Sequence, residues 1–235
     1  MKHACRVVMI LAGIGAAGLG LDAAGAEAFE GTYTFDVLRN GEPVGLHTFT
    51  FRHEAGRIEI QEDSEFEVKL AFIPIYSFAH HHREVWEHGD LVRVESFTDK
   101  NGEMIDLTLE AEDGGLVRTV NGRTDHLGPE VTPLAVWNQD VLDGSRFVSV
   151  AEDKLIEASF VYLGTETREV AGAPMELEHY KLGGEAPREV WYDPAGHVAR
   201  VKLERGDSVM EYVRNEPTIE LPKQLACLTA PGETC

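Results

Sequence analysis

Apolar and polar residues alternate along most of the chain, and residues 57–72 show this pattern most clearly. Acidic, amide and lysine side chains occupy most of one face of this segment. Its other face is predominantly apolar, with Ile58, Ile60, Phe66, Val68 and Leu70. Because successive side chains of a β-strand point to opposite faces, this period of two predicts a long strand with one buried face and one solvated face.

Turn signals recur between the alternating segments at the spacing of β-hairpins. Three of them are Asn-Gly pairs, which tolerate the positive φ angles of two-residue hairpin turns. The signals in the N-terminal half are Asn40-Gly41, Gly56, His88-Gly89-Asp90, Asn101-Gly102, Gly114-Gly115 and Asn121-Gly122. They predict an antiparallel meander of about eight strands in this half of the chain.

The pattern changes between residues 128 and 149. Thr132 and Pro133 favour the start of a short helix there, because proline is well tolerated at the first helical position. Alternation then resumes and continues to about Val213. We therefore predict an all-β fold with one short central helix, built as a long curved antiparallel sheet like a clam or an incomplete barrel. A sandwich of two sheets is the alternative, which a strand as long as 58–70 disfavours.

The first 26 residues have the pattern of a secretory signal peptide. Lys2 and Arg6 precede an apolar stretch at residues 7–21, and small residues follow at cleavage spacing. A membrane anchor is the alternative, but this stretch is shorter than the roughly 20 residues that a spanning helix needs. We expect cleavage after Ala26 or Ala28 and a periplasmic or secreted protein.

The rest of the chain is expected to form a single antiparallel β domain over residues 27–214, followed by an irregular, Pro-containing tail over residues 215–235. That tail contains Cys227 and Cys235. In an oxidising compartment, two cysteines so close in sequence favour a small disulfide loop. A redox-active pair is the alternative, but no Lys, Arg or His follows Lys223 to activate a thiol.

The chain carries a formal net charge of −20 at pH 7. Such a charge repels the phosphates of nucleic acids and the headgroups of anionic membranes. We therefore expect no nucleic-acid partner and no stable insertion into a membrane after cleavage of the signal peptide. The oligomeric state stays open.

Short aromatic and turn motifs span nearly the whole chain after the signal segment. They are Glu84-x-Trp86, Thr98-Asp99-x-Asn101-Gly102, Trp191-Tyr192-x-x-x-Gly196 and an aromatic segment around Trp137. Each is weak by itself, but together they resemble an uncharacterised family of secreted bacterial proteins that is known only as a domain of unknown function. The resemblance implies a curved antiparallel sheet in a periplasmic setting, more distantly similar to the clam of lipoprotein carriers. It implies no activity.

The densest group of histidines lies in residues 76–90, YSFAHHHREVWEHGD. On a helix, His81, Glu84 and His88 would share one face and could bind a metal ion. Pro74, the interspersed aromatic and β-branched residues and the closing turn instead predict a strand. On a strand, His81 lies on the face opposite to Glu84, so the spacing of these three residues no longer indicates a metal site.

On a strand, His80 and His82 lie on one face, with Glu84 beyond them. Two imidazoles are too few for a specific metal site, which needs further ligands from neighbouring strands. His47 is a candidate whose position relative to this strand the sequence does not define. We therefore expect no specific metal or other cofactor, and interpret His80 and His82 as polar lining of a concave surface or as ordinary strand residues.

Common catalytic motifs are absent from the sequence. It has no Gly-x-Ser-x-Gly elbow, His-Glu-x-x-His zinc motif, phosphate-binding glycine loop or dinucleotide fingerprint. Its aromatic residues favour a non-catalytic protein that binds an apolar or lipid-like ligand on the concave face of the sheet. The expected ligand-binding residues are Tyr76, Phe78, His80, His82, Trp86, Trp137, Trp191 and Tyr192. The alternatives are a structural or partner-binding envelope protein without a ligand, and a metal-binding protein that uses the strand of His80 and His82.

Overall fold

The computed structural model of the protein describes residues 29–218. The all-β expectation is confirmed, because these residues form two β-sheets and one short 3-10 helix (Gln139–Asp143). The large antiparallel sheet contains β1 (Phe29–Arg39), β2 (Glu42–Glu54), β3 (Arg57–Leu70), β4 (Ile73–Glu87), β5 (Asp90–Lys100), β6 (Glu103–Glu112), β7 (Gly115–Val120), β8 (Arg123–Leu127), β12 (Phe160–Val170), β13 (Ala173–Leu182), β14 (Arg188–Tyr192), β15 (Val198–Arg205) and β16 (Ser208–Arg214). The small sheet contains β9 (Thr132–Pro133), β10 (Arg146–Ser149) and β11 (Lys154–Glu157).

The large sheet consists of two meanders that are joined side by side. Its strands lie in the order β12-β13-β14-β15-β16-β1-β2-β3-β4-β5-β6-β7-β8. The joint is the antiparallel pairing of β16 with β1, in which Phe35 is opposite Arg214 and Arg39 is opposite Met210. Over residues 29–218, β12 and β8 are the two edges, so the sheet curves without closing into a barrel.

Two-residue turns join the strands of the N-terminal meander at the predicted positions. Asn40 and Gly41 have φ angles of 51° and 84°, and Asn101 and Gly102 have φ angles of 55° and 90°. Positive φ at both positions is typical of type I′ hairpin turns, whose twist suits neighbouring strands. The turn at Ala71, with φ of 56°, carries no such signal in the sequence, because alanine rarely adopts this conformation.

The long strand predicted at residues 58–70 is present as β3, with one difference at its end. Ile58, Ile60 and Val68 are buried as expected, but Leu70 is 70% exposed. The pairing of β3 with β4 shifts its register between Val68 and Lys69. Leu70 therefore lies at the tip of the hairpin, beyond the core that its periodicity suggests.

The short helix exists, but its predicted start near Thr132 is wrong. Thr132 and Pro133 form strand β9, which pairs in parallel with β10. This pairing holds both residues in an extended conformation, which outweighs the local preference of proline for a helix start. The 3-10 helix begins only at Gln139, where the Asn138 side chain accepts a hydrogen bond from the backbone N–H of Asp140.

Residues 128–159, which we call the crossover segment, cover much of the inner face of the large sheet. Val148 and Val150 pack into a cluster with residues of β5–β8. Phe147 packs with Leu182 of β13. Trp137 packs into the main core, which is formed by β1–β3, β14 and β15. The crossover segment therefore contacts both meanders, and it supplies the second layer that a curved sheet needs to bury its inner face.

A buried ion pair connects the turn after β14 to the end of β16. Nη2 of Arg214 lies 2.8 Å from Oδ2 of Asp193, and neither side chain is exposed. The guanidinium also donates to the backbone carbonyl of Val198 at 3.1 Å and to the Thr218 hydroxyl at 3.1 Å. It lies 4.6 Å from the centre of the Tyr33 ring in β1. The pair thus holds together the elements on either side of the joint between the meanders.

Arg214→Met is expected to lower the free energy of unfolding by about 3–5 kcal/mol, because the substitution leaves the buried carboxylate of Asp193 without its main partner. Urea denaturation followed by tryptophan fluorescence measures this loss. The matched control is Arg52→Met, which removes an exposed pair with Glu30 at 3.0 Å and should cost less than about 1 kcal/mol. Equal losses in the two variants would show that the buried pair contributes no more to stability than the exposed pair does.

Candidate functional site

A cavity of about 550 Å³ remains between the inner face of the large sheet and the crossover segment. Its wall is formed by side chains of β1–β5, β14–β16 and the crossover segment. Exposed lining residues, including Ile75, Lys100 and Lys154, mark its open end. Buried lining residues, including His47 and His80, mark its closed end. The cavity is therefore a one-sided recess within the concave surface.

Aromatic side chains form much of the apolar wall. Phe66 of β3 and Phe78 of β4 stack with their ring centroids 4.8 Å apart, and the Tyr76 ring lies 6.1 Å from that of Phe66. Phe35 of β1 and Phe49 of β2 meet edge to face at 5.8 Å. Because inner and outer positions alternate along each strand, these rings from four neighbouring strands all face the cavity, with Glu62 and Ser64 of β3 between the two pairs.

Three histidines and one glutamate meet at the closed end of the cavity. We call His47, Glu62, His80 and His82 the histidine cluster. The strand register brings them together, because Glu62 is opposite His82, while His47 and His80 flank Ser64 from the strands on either side. The Glu62 carboxylate lies 3.8 Å from Nε2 of His80 and 3.4 Å from Nδ1 of His82. It also lies 3.9 Å from Nδ1 of His47.

Each of the two histidines of β4 has a second contact, through the ring nitrogen that faces away from Glu62. Nδ1 of His80 lies 2.9 Å from Oγ1 of Thr98. Nε2 of His82 lies 3.1 Å from Oε1 of Glu84, whose side chain is fully buried. Nε1 of Trp86 in turn donates to Oε2 of Glu84 at 2.8 Å. These contacts orient the rings, so that Nε2 of His80 and Nδ1 of His82 face Glu62.

The charges of the histidine cluster depend on one another. Burial raises the pKa of Glu62, but its interactions with His82, His47 and His80 outweigh this effect and lower the pKa to about 2. Burial lowers the pKa of His82, but its interactions with Glu62 and Glu84 outweigh this and raise the pKa to about 10. Burial lowers the pKa of His80 to about 4. At neutral pH, an ionised Glu62 therefore lies between a protonated His82 and a neutral His80.

Cationic side chains surround the rest of the cavity, although the whole chain is acidic. The five cationic lining residues are Arg39, Lys100, Lys154, Arg188 and Arg205, against the two carboxylates of Glu62 and Glu152. Arg205 is paired with Glu152 at 2.6 Å. Arg188 has no carboxylate within 4.0 Å among residues 29–218, and burial together with the charge of Arg205 lowers its pKa to about 10. Arg188 is thus a charged group of the wall that lacks an ion-pair partner within the described part of the chain.

Four of the eight expected ligand-binding residues line the cavity, namely Tyr76, Phe78, His80 and His82. Trp86, Trp137 and Tyr192 instead pack in the main core. Trp191 lies on the opposite face of the sheet, where its ring stacks on His179 at 4.2 Å. Adjacent residues of a strand point to opposite faces, so Trp191 and Tyr192 do not share a wall.

Sequence reasoning missed Glu62 and Arg188. Glu62 shares the period of Ile58, Ile60 and Phe66, so it is a carboxylate on a predominantly apolar face. That mismatch is the signal from which it could have been found, because an isolated buried carboxylate is costly unless it has partners. Arg188 carries no comparable signal, because its position depends on strand pairings between remote parts of the chain.

The helical triad of His81, Glu84 and His88 does not form, because these residues lie in strand β4 and the turn that follows it. His81 points to the outer face, where its Nδ1 lies 2.6 Å from Oδ1 of Asp63. His88 occupies the turn, with φ of 54°. The strand interpretation of this segment is therefore confirmed.

Both ends of the chain lie outside the described residues. The signal segment at residues 1–26 and the pair of Cys227 and Cys235 fall in these parts. Cleavage, export, the disulfide loop and the boundary of the tail therefore stay predictions. Between residues 29 and 218, no helix has the length and apolar character required to cross a bilayer.

The model of one protein family matches residues 35–215, from β1 to the end of β16. The family is described as a domain of unknown function, DUF6134. The chain belongs to the DUF6134 family. This confirms the expected membership of an uncharacterised family.

The DUF6134 fold is similar to a solved structure, that of a beta-barrel-like protein of the DUF1849 domain of unknown function from Brucella abortus. The two share 11% sequence identity at a TM-score of 0.59, over 81% of this chain and 97% of that chain. At such low identity, the likeness concerns the fold alone. Among curated proteins, no match to the DUF6134 chain was found.

Thr98→Val is expected to lower the free energy of unfolding by about 1–3 kcal/mol, because it leaves Nδ1 of the buried His80 without its hydrogen-bond partner. Urea denaturation measures the change. The matched control is Thr50→Val, whose hydroxyl contacts Thr32 at 3.2 Å on an exposed part of the sheet and should change stability by no more than about 0.5 kcal/mol. If Thr98→Val were as mild as its control, the hydrogen bond would not be what orients His80.

Proposed function

We propose that this DUF6134 protein is a non-catalytic periplasmic or secreted protein that binds a lipid-like ligand in the concave face of its large sheet. The observation that carries this proposal is the cavity of about 550 Å³ with its aromatic wall. Sites for small molecules commonly have volumes of roughly 300–1,000 Å³ and mostly apolar linings. A concave face filled completely by side chains would instead have favoured a structural protein without a ligand.

The apolar part of the ligand would lie between the sheet and the crossover segment. Phe66 and Phe78 line one side of the cavity, while Leu134 and Val136 line the other. An apolar group that enters this space leaves water and gains roughly 25 cal/mol per Å² of buried surface. Binding of this kind needs no chemical step from the wall, which agrees with the absence of a catalytic motif in the sequence.

The polar end of the ligand would be acidic. Arg188 is a partly buried cation of the cavity wall, and the residues around it leave the wall with a surplus of positive charge. A carboxylate or phosphate that reaches Arg188 would form a charge-assisted hydrogen bond, which is stronger than one between neutral groups. An acidic amphiphile therefore complements both the apolar and the charged parts of the wall.

The hairpin tip between β3 and β4 offers a route of entry. Four of its large apolar side chains are exposed, namely Leu70, Phe72, Ile73 and Ile75. Ile75 also lines the cavity. Exposed apolar groups that lie so close together are typical of surfaces that contact apolar molecules. The proposed export of the protein is supported only by the signal-peptide pattern of residues 1–26.

Phe78→Asp is expected to weaken the binding of a fluorescent fatty acid by at least about tenfold, because it places a carboxylate in the apolar wall. Fluorescence titration measures the affinity of protein purified from cells that express the full chain. The control is Phe97→Asp, the same substitution at a 43% exposed position of β5, which should bind like the wild type. A wild-type protein that retains neither the fatty acid nor any component of a lipid extract in native mass spectrometry would refute the proposed function.

Arg188→Gln is expected to weaken the binding of the fatty acid by about tenfold but to leave the binding of a fatty alcohol of the same length unchanged. Competition against the fluorescent probe measures both affinities. The control is Arg168→Gln, whose guanidinium lies over Trp191, at 5.7 Å from the ring centre and away from the cavity. Equal losses for the acid and the alcohol would mean that Arg188 does not recognise the acidic end.

A further inference from the structure

The histidine cluster has the donor spacing of a metal site. One ligand atom each from Glu62, His80 and His82 can be chosen so that all three lie within 4.8 Å of one another. The Glu62 carboxylate lies 3.8 Å from one imidazole nitrogen and 3.4 Å from the other. An ion bound tetrahedrally at about 2.1 Å holds its ligand atoms about 3.4 Å apart. The two observed distances end on different oxygens of the carboxylate, Oε1 toward His80 and Oε2 toward His82, and both lie near this spacing.

The partners of the two β4 histidines are those that metal-binding histidines commonly have. Nδ1 of His80 contacts the Thr98 hydroxyl, which leaves Nε2 facing the centre of the cluster. Nε2 of His82 lies 3.1 Å from the Glu84 carboxylate, without the geometry of a hydrogen bond, which leaves Nδ1 facing the centre. A carboxylate or hydroxyl on the far side of the ring fixes the orientation of a histidine ligand and increases its basicity. Thr98 and Glu84 thus lie behind the two candidate histidine ligands, on the sides of the rings that face away from the proposed ion.

His47 supplies an independent observation. Its side chain is only 8% exposed, and it lies on the cavity wall. Its Nδ1 has no hydrogen-bond partner among residues 29–218, although it lies 3.9 Å from the Glu62 carboxylate. A buried ring nitrogen without a hydrogen bond is costly, and a metal ion would remove that cost.

We propose that the histidine cluster binds one divalent ion of the zinc type, with Glu62, His80 and His82 as ligands and His47 beside this group of three as a further imidazole. Imidazole and carboxylate donors in this number suit zinc and its neighbours among the transition metals. Two other divalent ions, Mg²⁺ and Ca²⁺, prefer sets made of oxygen donors alone. The proposal does not depend on the binding of an amphiphile, because it involves a different part of the cavity wall.

Isothermal titration with Zn²⁺ tests the proposal on chelator-treated protein purified from the full chain. We expect one ion per chain, bound with a dissociation constant below about 1 µM. Glu62→Gln and His80→Gln should each weaken binding by at least about 100-fold, since even the partners of metal ligands commonly contribute 10–100-fold. The matched controls are Asp63→Asn and His81→Gln, which change the neighbouring pair on the outer face of the same two strands. These should bind zinc like the wild type.

Two results would overturn the metal site. One is a wild-type protein that takes up no stoichiometric zinc and, when mixed with Co²⁺, shows no absorption band of a four-coordinate ion. This measurement needs no variant, so it stands even if an inner-face variant fails to fold. The other is an equal loss of zinc in the outer-face variants, which would assign the binding to the acidic surface. Fatty-acid binding without zinc binding would refute the metal site and leave the proposed function standing.

Discussion

The structure depends on covering the inner face of a sheet that does not close. An open sheet of thirteen strands buries one face only if another layer lies against it. In this chain the crossover segment is that layer, and Trp137, Val148 and Phe147 anchor it to different parts of the sheet. A short segment cannot cover so long a curved surface completely. The cavity is the part of the inner face that stays uncovered, so the fold and the candidate site have the same physical origin.

The histidine cluster shows how strand register places polar groups within an apolar face. Glu62 interrupts the apolar period of β3, and the neighbouring strands place imidazoles, rather than arginine or lysine, around its carboxylate. Arginine and lysine keep a permanent charge in most surroundings, whereas an imidazole is neutral or charged according to its environment. The charge of Glu62 can therefore be balanced by a proton or by a cation. This freedom distinguishes the cluster from the permanent pair of Arg214 and Asp193.

Local signals in the sequence account for much of the fold. The Asn-Gly turns mark where strands end and begin, and the period of two in β3 shows which of its faces is buried. Strand ends and buried faces can therefore be predicted from short stretches of sequence. The site depends on remote pairings that no short stretch encodes. His47 reaches Glu62 only through the register of β2 with β3, and Arg188 reaches the cavity only because β16 pairs with β1. The displaced helix has a similar cause, since pairing with β10 decides the conformation of Thr132 and Pro133.

The joint between β16 and β1 has a consequence for the order in which the molecule can assemble. The first described strand lies in the interior of the sheet, and one of its two neighbours is the last described strand, with Phe35 opposite Arg214. During synthesis, this edge of β1 stays without its neighbour until β16 (Ser208–Arg214) has emerged. Contacts between residues so distant in sequence form slowly, and an unpaired strand edge invites pairing with other chains. The joint between the two meanders is therefore a late step of folding, which waits for β16 although β1 is made first.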